Sequence, residues 1–203
     1  MNVNSNIKII IEKYNPIWLI EFEKLKTKLS SILQFSNPQI EHIGSTSIPS
    51  LSAKPIIDIA IGVSKNRELD LTISPMVENK FIYYAVYNKL MPKRRFFVGL
   101  KNKKDFLKFE KIYYKNKEIP HEKIHSFRLC HIHIWKFGTY EWKRHIAFRE
   151  YLKEHPQVKD EYENLKIKLS KKKWVDGNEY NYSKNDFIKN IENDAISWYN
   201  KFK

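Results

Sequence analysis

The segment from Glu41 to Val63 constrains the fold more than any other. A short β-prone stretch, Ile40-Glu41-His42-Ile43, runs into a turn-rich segment, Gly44-Ser45-Thr46-Ser47-Ile48-Pro49. A second stretch follows, Pro55-Ile56-Ile57-Asp58-Ile59-Ala60-Ile61-Gly62-Val63, apolar almost throughout and carrying a single carboxylate. Such a run reads as a strand buried on both faces, which requires a sheet with cover on each side. A carboxylate there is costly to bury without a partner. Asp58 therefore needs a cation, a hydrogen-bond network or a solvent-lined cleft. Spacing alone leaves two readings open: a site residue, or a structural carboxylate that pairs with Lys54 or caps a loop.

The rest of the chain supplies that cover. Ile7 to Tyr14 reads as extended. Trp18, Phe22, Leu25, Leu29 and Ile32 recur at spacings of four and three, which predicts a helix with Pro16 near its start. Leu69 to Val77 predicts a helix with Pro75 inside the pattern. Phe81 to Tyr87 and Arg94 to Leu100 predict strands, being rich in aromatic and β-branched residues. Phe127 to Trp135 alternates, placing His131, His133 and Trp135 on one face and Cys130, Ile132 and Ile134 on the other. The last third predicts helices throughout: Tyr140 to Lys153, a second beginning near Pro156, and a third capped by Ser183 with Asp186 three residues on. Strands early and helices late predict an α+β or α/β sheet covered by helices.

At 203 residues, one domain over 1–203 is the expectation. Lysine plus arginine (37) exceeds aspartate plus glutamate (23), a formal net charge of +14, so the field favours phosphates, nucleic acids or anionic surfaces. Single lysine runs such as Lys101-Asn102-Lys103-Lys104 read as solvated surface. The lone Cys130 excludes an internal disulfide framework and fits a reducing compartment. No apolar run is long enough to span a membrane and no secretory signal is present, so a cytoplasmic protein with no membrane partner is expected.

Three groups could carry chemistry. Gly44-Ser45 after a strand can offer backbone amides and a hydroxyl to a phosphate, with Thr46 beside it, or it can be an ordinary turn. His131 and His133 share a face and can bind a metal, contact phosphate or act as a general base, or they can be satisfied core or surface histidines. Asp58 is the third.

The run from Ile40 to Ile59 closely resembles the signature of the GrpB-like proteins of the nucleotidyltransferase superfamily. Tyr14-Asn15-Pro16-Ile17-Trp18, Arg95-Phe96-Phe97, His131-Ile132-His133 and Arg144 to Leu152 resemble further blocks of that family, in order. The resemblance implies a nucleotidyltransferase-like mixed β-sheet flanked by helices, with Gly44, Ser45, Thr46 and Asp58 forming a cleft for a nucleoside triphosphate. It also implies a divalent metal and transfer of a nucleotidyl or phosphoryl group to an acceptor. One departure matters: the superfamily's second carboxylate falls at Ala60, which cannot ligate. A site of Asp58, His131 and His133 would prefer manganese or zinc to magnesium, or hold no metal. Lys54, Arg95, Arg144, Arg149 and Lys184 could supply positive charge to the phosphates, Arg149 having Glu41 as an alternative partner. The expectation is thus a transferase built on Asp58, His131 and His133; the alternative is a non-catalytic module for a nucleotide or other phosphorylated ligand. RNA is a third, weaker partner.

Overall fold

The computed structural model describes residues 7–175 and 177–202. The chain opens with β1 (Ile7–Lys8) and α1 (Ile17–Ile32), then lays down β2 (Gln39–Ile43) and β3 (Ile57–Val63). Two short helices, α2 (Glu68–Leu71) and α3 (Ile73–Glu78), lead to β4 (Phe81–Tyr83), β5 (Arg95–Leu100), α4 (His121–His125) and β6 (Arg128–Lys136). The five strands β2 to β6 form one mixed sheet in the order β2-β3-β6-β5-β4. The central pair, β3 and β6, is parallel; β2, β5 and β4 each run antiparallel to their neighbour.

One face of the sheet is closed. Trp18, Phe22, Leu25 and Leu29 of α1 pack onto Ile57, Ile59, Ile61, Ile132 and Ile134, joined by Leu69 and Met76 from α2 and α3. Each such side chain contributes about 1.5–3 kcal/mol by leaving water. The other face is only half closed. Ile43, Ala60 and Trp135 meet Trp142 and Ile146 of α5 (Tyr140–Glu154). Among the described residues, no helix is laid flat on the remainder of that face, over the starts of β3 and β6. Instead α6 (Pro156–Ser170), α7 (Gly177–Tyr182) and Lys184, in the link to α8 (Asn185–Phe202), stand at its rim.

Several elements differ from the sequence expectation, each for a local reason. The strand from Phe81 ends at Tyr83, because Tyr84 turns into a second apolar cluster with Val98, Phe106 and Tyr113 and the chain continues as a 3-10 turn over Ala85–Asn88. The Leu69–Val77 helix is two helices, split at Thr72, whose hydroxyl donates to the Leu69 carbonyl at 2.6 Å. Pro75 then falls in the first turn of α3, where its missing N–H costs nothing. The last third is not wholly helical: β7 (Lys173–Trp174) pairs antiparallel with β1. Ser183 does not cap the last helix; its hydroxyl donates to the Tyr180 carbonyl at 2.7 Å and closes α7. Among the described residues, no helix is long and apolar enough to cross a membrane.

Candidate functional site

The strand register sets the floor of the site. Asp58 of β3 lies opposite His131 of β6, and Phe96 of β5 lies opposite His133, so these four side chains stand on the half-open face. His131 Nδ1 is 3.1 Å from Asp58 Oδ1. Burial works against the Asp58 carboxylate, but the His131 hydrogen bond and the charges of Lys54 and Lys184 outweigh it and hold the group below the usual range. Burial, with Arg128 and Lys54 nearby, lowers His131 despite Asp58. The pair is therefore a neutral imidazole that donates Nδ1–H to a carboxylate, leaving Nε2 as acceptor toward Arg128 Nη1 at 3.5 Å. That assignment of the tautomer follows from the network of partners.

Gly44 makes the floor possible. Its φ of 70° and ψ of −175° belong to a region that side chains avoid, and a Cβ there would lie 2.5 Å from Asp58 Oδ2. The Gly-Ser turn closes as a single 3-10 turn over Ser45–Ser47, with Ser47 Oγ donating to the Gly44 carbonyl at 2.6 Å. Ser45 and Thr46 line the cavity. The Thr46 hydroxyl already donates to the Ile56 carbonyl at 3.3 Å and accepts from His42 Nε2 at 3.0 Å, so its role is to hold the turn.

Above this floor is a cavity of about 230 Å³. Among the described residues, five cationic side chains line it, Lys54, Arg94, Arg128, Lys166 and Lys184, against one carboxylate, Asp58. They come from five places: the approach to β3, the approach to β5, the start of β6, the middle of α6, and the link between α7 and α8. Burial pushes Lys54 down to about 7, helped by Lys184; burial takes Lys166 to about 7 and Lys184 to about 8. Arg94, half-buried, is lowered by desolvation to about 10 and stays charged. Lys166 is 2% exposed, and its ammonium donates to the Ser52 carbonyl. Asp58 acts on Lys54 and Lys184 and Glu163 on Lys166, yet these carboxylates do not offset burial and the neighbouring cations.

Four of the expected residues take other places. Gly44 lies beneath Asp58 and does not line the cavity. Arg95 follows the alternation of β5 to the closed face, where its guanidinium pairs with Asp70 at 2.6 Å. Arg144 pairs with Glu141 at 2.7 Å and Glu192 at 3.5 Å, tying α5 to α8. Arg149 pairs with Glu41 at 2.8 Å and donates to the His42 carbonyl at 2.6 Å, the structural alternative open in the sequence. None of these three arginines lines the cavity.

The metal set does not fit either. Asp58 and His131 are bonded to each other, and His133 turns Nδ1 toward Arg94 Nη1 at 3.4 Å, a cation beside which no metal would sit. Among the described residues, no three histidine, cysteine or acidic side chains gather as a metal-holding group. Ala60, the second carboxylate position of the superfamily, is fully buried under Trp135, Trp142 and Ile146.

Sequence reasoning missed Arg94, Arg128 and Lys166. By strict alternation from His131, Arg128 should face the closed side. A bulge between Gly99 and Leu100 sets Leu100 opposite Arg128 and Gly99 opposite Cys130, so Leu129 is the extra residue. Leu129 packs into the closed core and Arg128 turns to the cavity. Lys166 had a readable signal: on α6 it shares a face with Tyr162 and Leu169, both buried.

Fold and site together define an α+β protein with a basic cavity on the uncovered half of a mixed sheet. The chain belongs to the GrpB family: the family model described as GrpB protein matches residues 8–194. It is 30% identical over 195 residues to the glutamate-rich protein GrpB of Alkalihalophilus pseudofirmus, covering 96% of this chain and 99% of that protein. It is also 30% identical over 191 residues to the UPF0157 protein YqkA of Bacillus subtilis, covering 94% of this chain but 48% of that longer protein. Among solved structures, the conserved protein GrpB from Enterococcus faecalis superposes with a TM-score of 0.72 at 32% identity, covering 94% of this chain and 99% of that one.

Proposed function

We propose that the cavity binds a small, multiply charged phosphorylated ligand, a nucleotide or a related phosphate ester, without two-metal chemistry. The observation that carries this reading is the charge balance: among the described residues, five basic side chains converge on a cavity whose one carboxylate is already hydrogen-bonded to His131. Burying that much like charge is unfavourable unless an anion completes it. Arginine suits bidentate phosphate contacts and lysine a point charge, and the cavity holds both. The half-buried rings of Tyr87 and Phe96, 5.7 Å apart, line the same cavity and offer apolar surface to a base. The Gly-Ser turn before an acidic strand is consistent with the nucleotidyltransferase-like resemblance, while the packing around Ala60 argues against restoring that superfamily's metal pair.

The Asp58–His131 pair favours a second reading. An imidazole oriented by a carboxylate can remove a proton from an attacking hydroxyl, as transfer of a nucleotidyl or phosphoryl group would need, once Nε2 exchanges its 3.5 Å contact with Arg128 Nη1 for that hydroxyl. One experiment separates the two. Thermal unfolding is followed with pyrophosphate, nucleoside triphosphates and sulfate in excess chelator, alongside an assay for pyrophosphate release. Stabilisation that survives chelation and weakens in Lys184→Met supports binding. Pyrophosphate release lost in His131→Ala, with binding retained, supports transfer. Absence of stabilisation by any of these anions sinks both.

A further inference from the structure

Three concavities share walls across one end of the central sheet. The cavity over Asp58 shares Lys54, Ile56, His125 and Arg128 with a second concavity of about 290 Å³. The second shares Lys101 with a third, of about 170 Å³, on the α1 side of the sheet. Strand directions explain the alignment. The starts of β3 and β6, the end of β5 and the start of β4 all lie at this end of the sheet, and α1 brings Lys24 and Lys28 beside them.

The third concavity is lined by Lys24, Lys28, Lys80, Lys101 and Lys103, with Glu21 as its one carboxylate, and Glu21 is bonded to Lys24 at 2.8 Å. Among the described residues, no ion pair joins Lys28, Lys80, Lys101 or Lys103 to an acidic group. Lys28 rests over the Phe81 ring at 4.3 Å and donates to the Asn79 carbonyl at 3.2 Å, so part of this wall is held in place. A mononucleotide in the cavity would leave all these lysines uncompensated. A linear polyanion would pass from the cavity, over the sheet end, to the far face.

We infer that the ligand is the end of a single-stranded nucleic acid, its terminal nucleotide in the cavity and its backbone carried by the lysines beyond. This rests on the phosphorylated-ligand reading of the cavity. Half-buried aromatic rings line the cavity at Tyr87 and Phe96, whereas in the third concavity the ring of Phe81 is buried beneath Lys28 and lysines make up most of the polar wall. That division suits one stacked base followed by a chain held through its phosphates, independent of sequence.

The test uses the full chain, a single-stranded RNA of about 12 nucleotides, a mononucleotide and pyrophosphate as probes, with binding followed by anisotropy and calorimetry over a salt series. Lys80, Lys101 and Lys103 are exposed, so the triple variant Lys80→Gln, Lys101→Gln, Lys103→Gln should fold as the parent does. RNA is expected to bind at least about tenfold more tightly than the mononucleotide, and the triple variant to lower its salt slope by about 2, three phosphates at about 0.7 each. Pyrophosphate binding should be unchanged in that variant and weakened in Lys184→Met. RNA affinity and slope unchanged in the triple variant, with pyrophosphate still bound, overturn the groove alone. Pyrophosphate that fails to bind the parent overturns the cavity reading, and with it the seat for a terminal nucleotide. Inorganic polyphosphate that competes as well as RNA at equal charge overturns the nucleic-acid class.

Discussion

Gly44 is the residue on which the floor of the cavity turns. Its backbone conformation costs a side-chain-bearing residue about 1–3 kcal/mol, and a Cβ would also strike Asp58. Gly44→Ala should therefore lose about 2 kcal/mol or more in urea denaturation and should weaken anion binding, because Asp58 must move. Lys184 is the opposite case. Its charge is held against burial, with its ammonium 4.5 Å over the Tyr180 ring. Lys184→Met keeps the stem and removes the charge, so stability should be unchanged or higher while pyrophosphate affinity falls about tenfold, about 1.4 kcal/mol. A stability loss without a binding loss would make Lys184 merely structural. At this scale the sequence was informative for Asp58, Ser45, Thr46, Lys54, His131, His133 and Lys184, all of which line the cavity. It left Arg149 open between phosphate and Glu41, and Glu41 is the partner found; at Arg95 and Arg144 it gave no sign that Asp70 or Glu141 would reach the arginine first.

Elements decide which side chains meet. The apolar spacing of α1, the nearly unbroken β3 and the alternation of β6 were all legible, because each is a periodic pattern with a buried face. What the pattern could not show was a one-residue slip: the bulge at Leu129 reverses parity below His131 and turns Arg128 inward. The short β1–β7 pairing was equally hidden, being two residues long and made by chain segments more than 160 positions apart (173 − 8 = 165). The packing of β3 against α5 yields a firm expectation. Ala60→Asp restores the acidic pair of the nucleotidyltransferase pattern, yet it places a carboxylate between Trp135, Trp142 and Ile146. It should cost more than about 3 kcal/mol by chemical denaturation and confer no magnesium-dependent stabilisation. A folded Ala60→Asp protein that gained metal-dependent pyrophosphate release would refute that account of the site.

For the molecule as a whole, the three cavity lysines couple folding, pH and anions. Lys54, Lys166 and Lys184 lie at about 7, 7 and 8, below the ordinary 10.5 of an unfolded lysine. Between about pH 7 and pH 10 the unfolded chain thus holds more protons than the folded one, and stability should rise with pH across that window. Saturating sulfate, which does not titrate there, should stabilise most at the low end and flatten the rise; its own affinity should fall as the pH climbs from 6 to 9. Thermal unfolding at several pH values, with and without sulfate, checks both, and a flat profile without anion would count against the buried cations. The order in which the parts of the cavity occur along the chain has one more consequence. Asp58 and His131 are 73 positions apart, and α7 and Lys184 follow only after every strand of the sheet has been made. On a ribosome, then, the scaffold can assemble while its pocket is still a shallow trough, and the guest can be captured only once the last helices have emerged and swung into place.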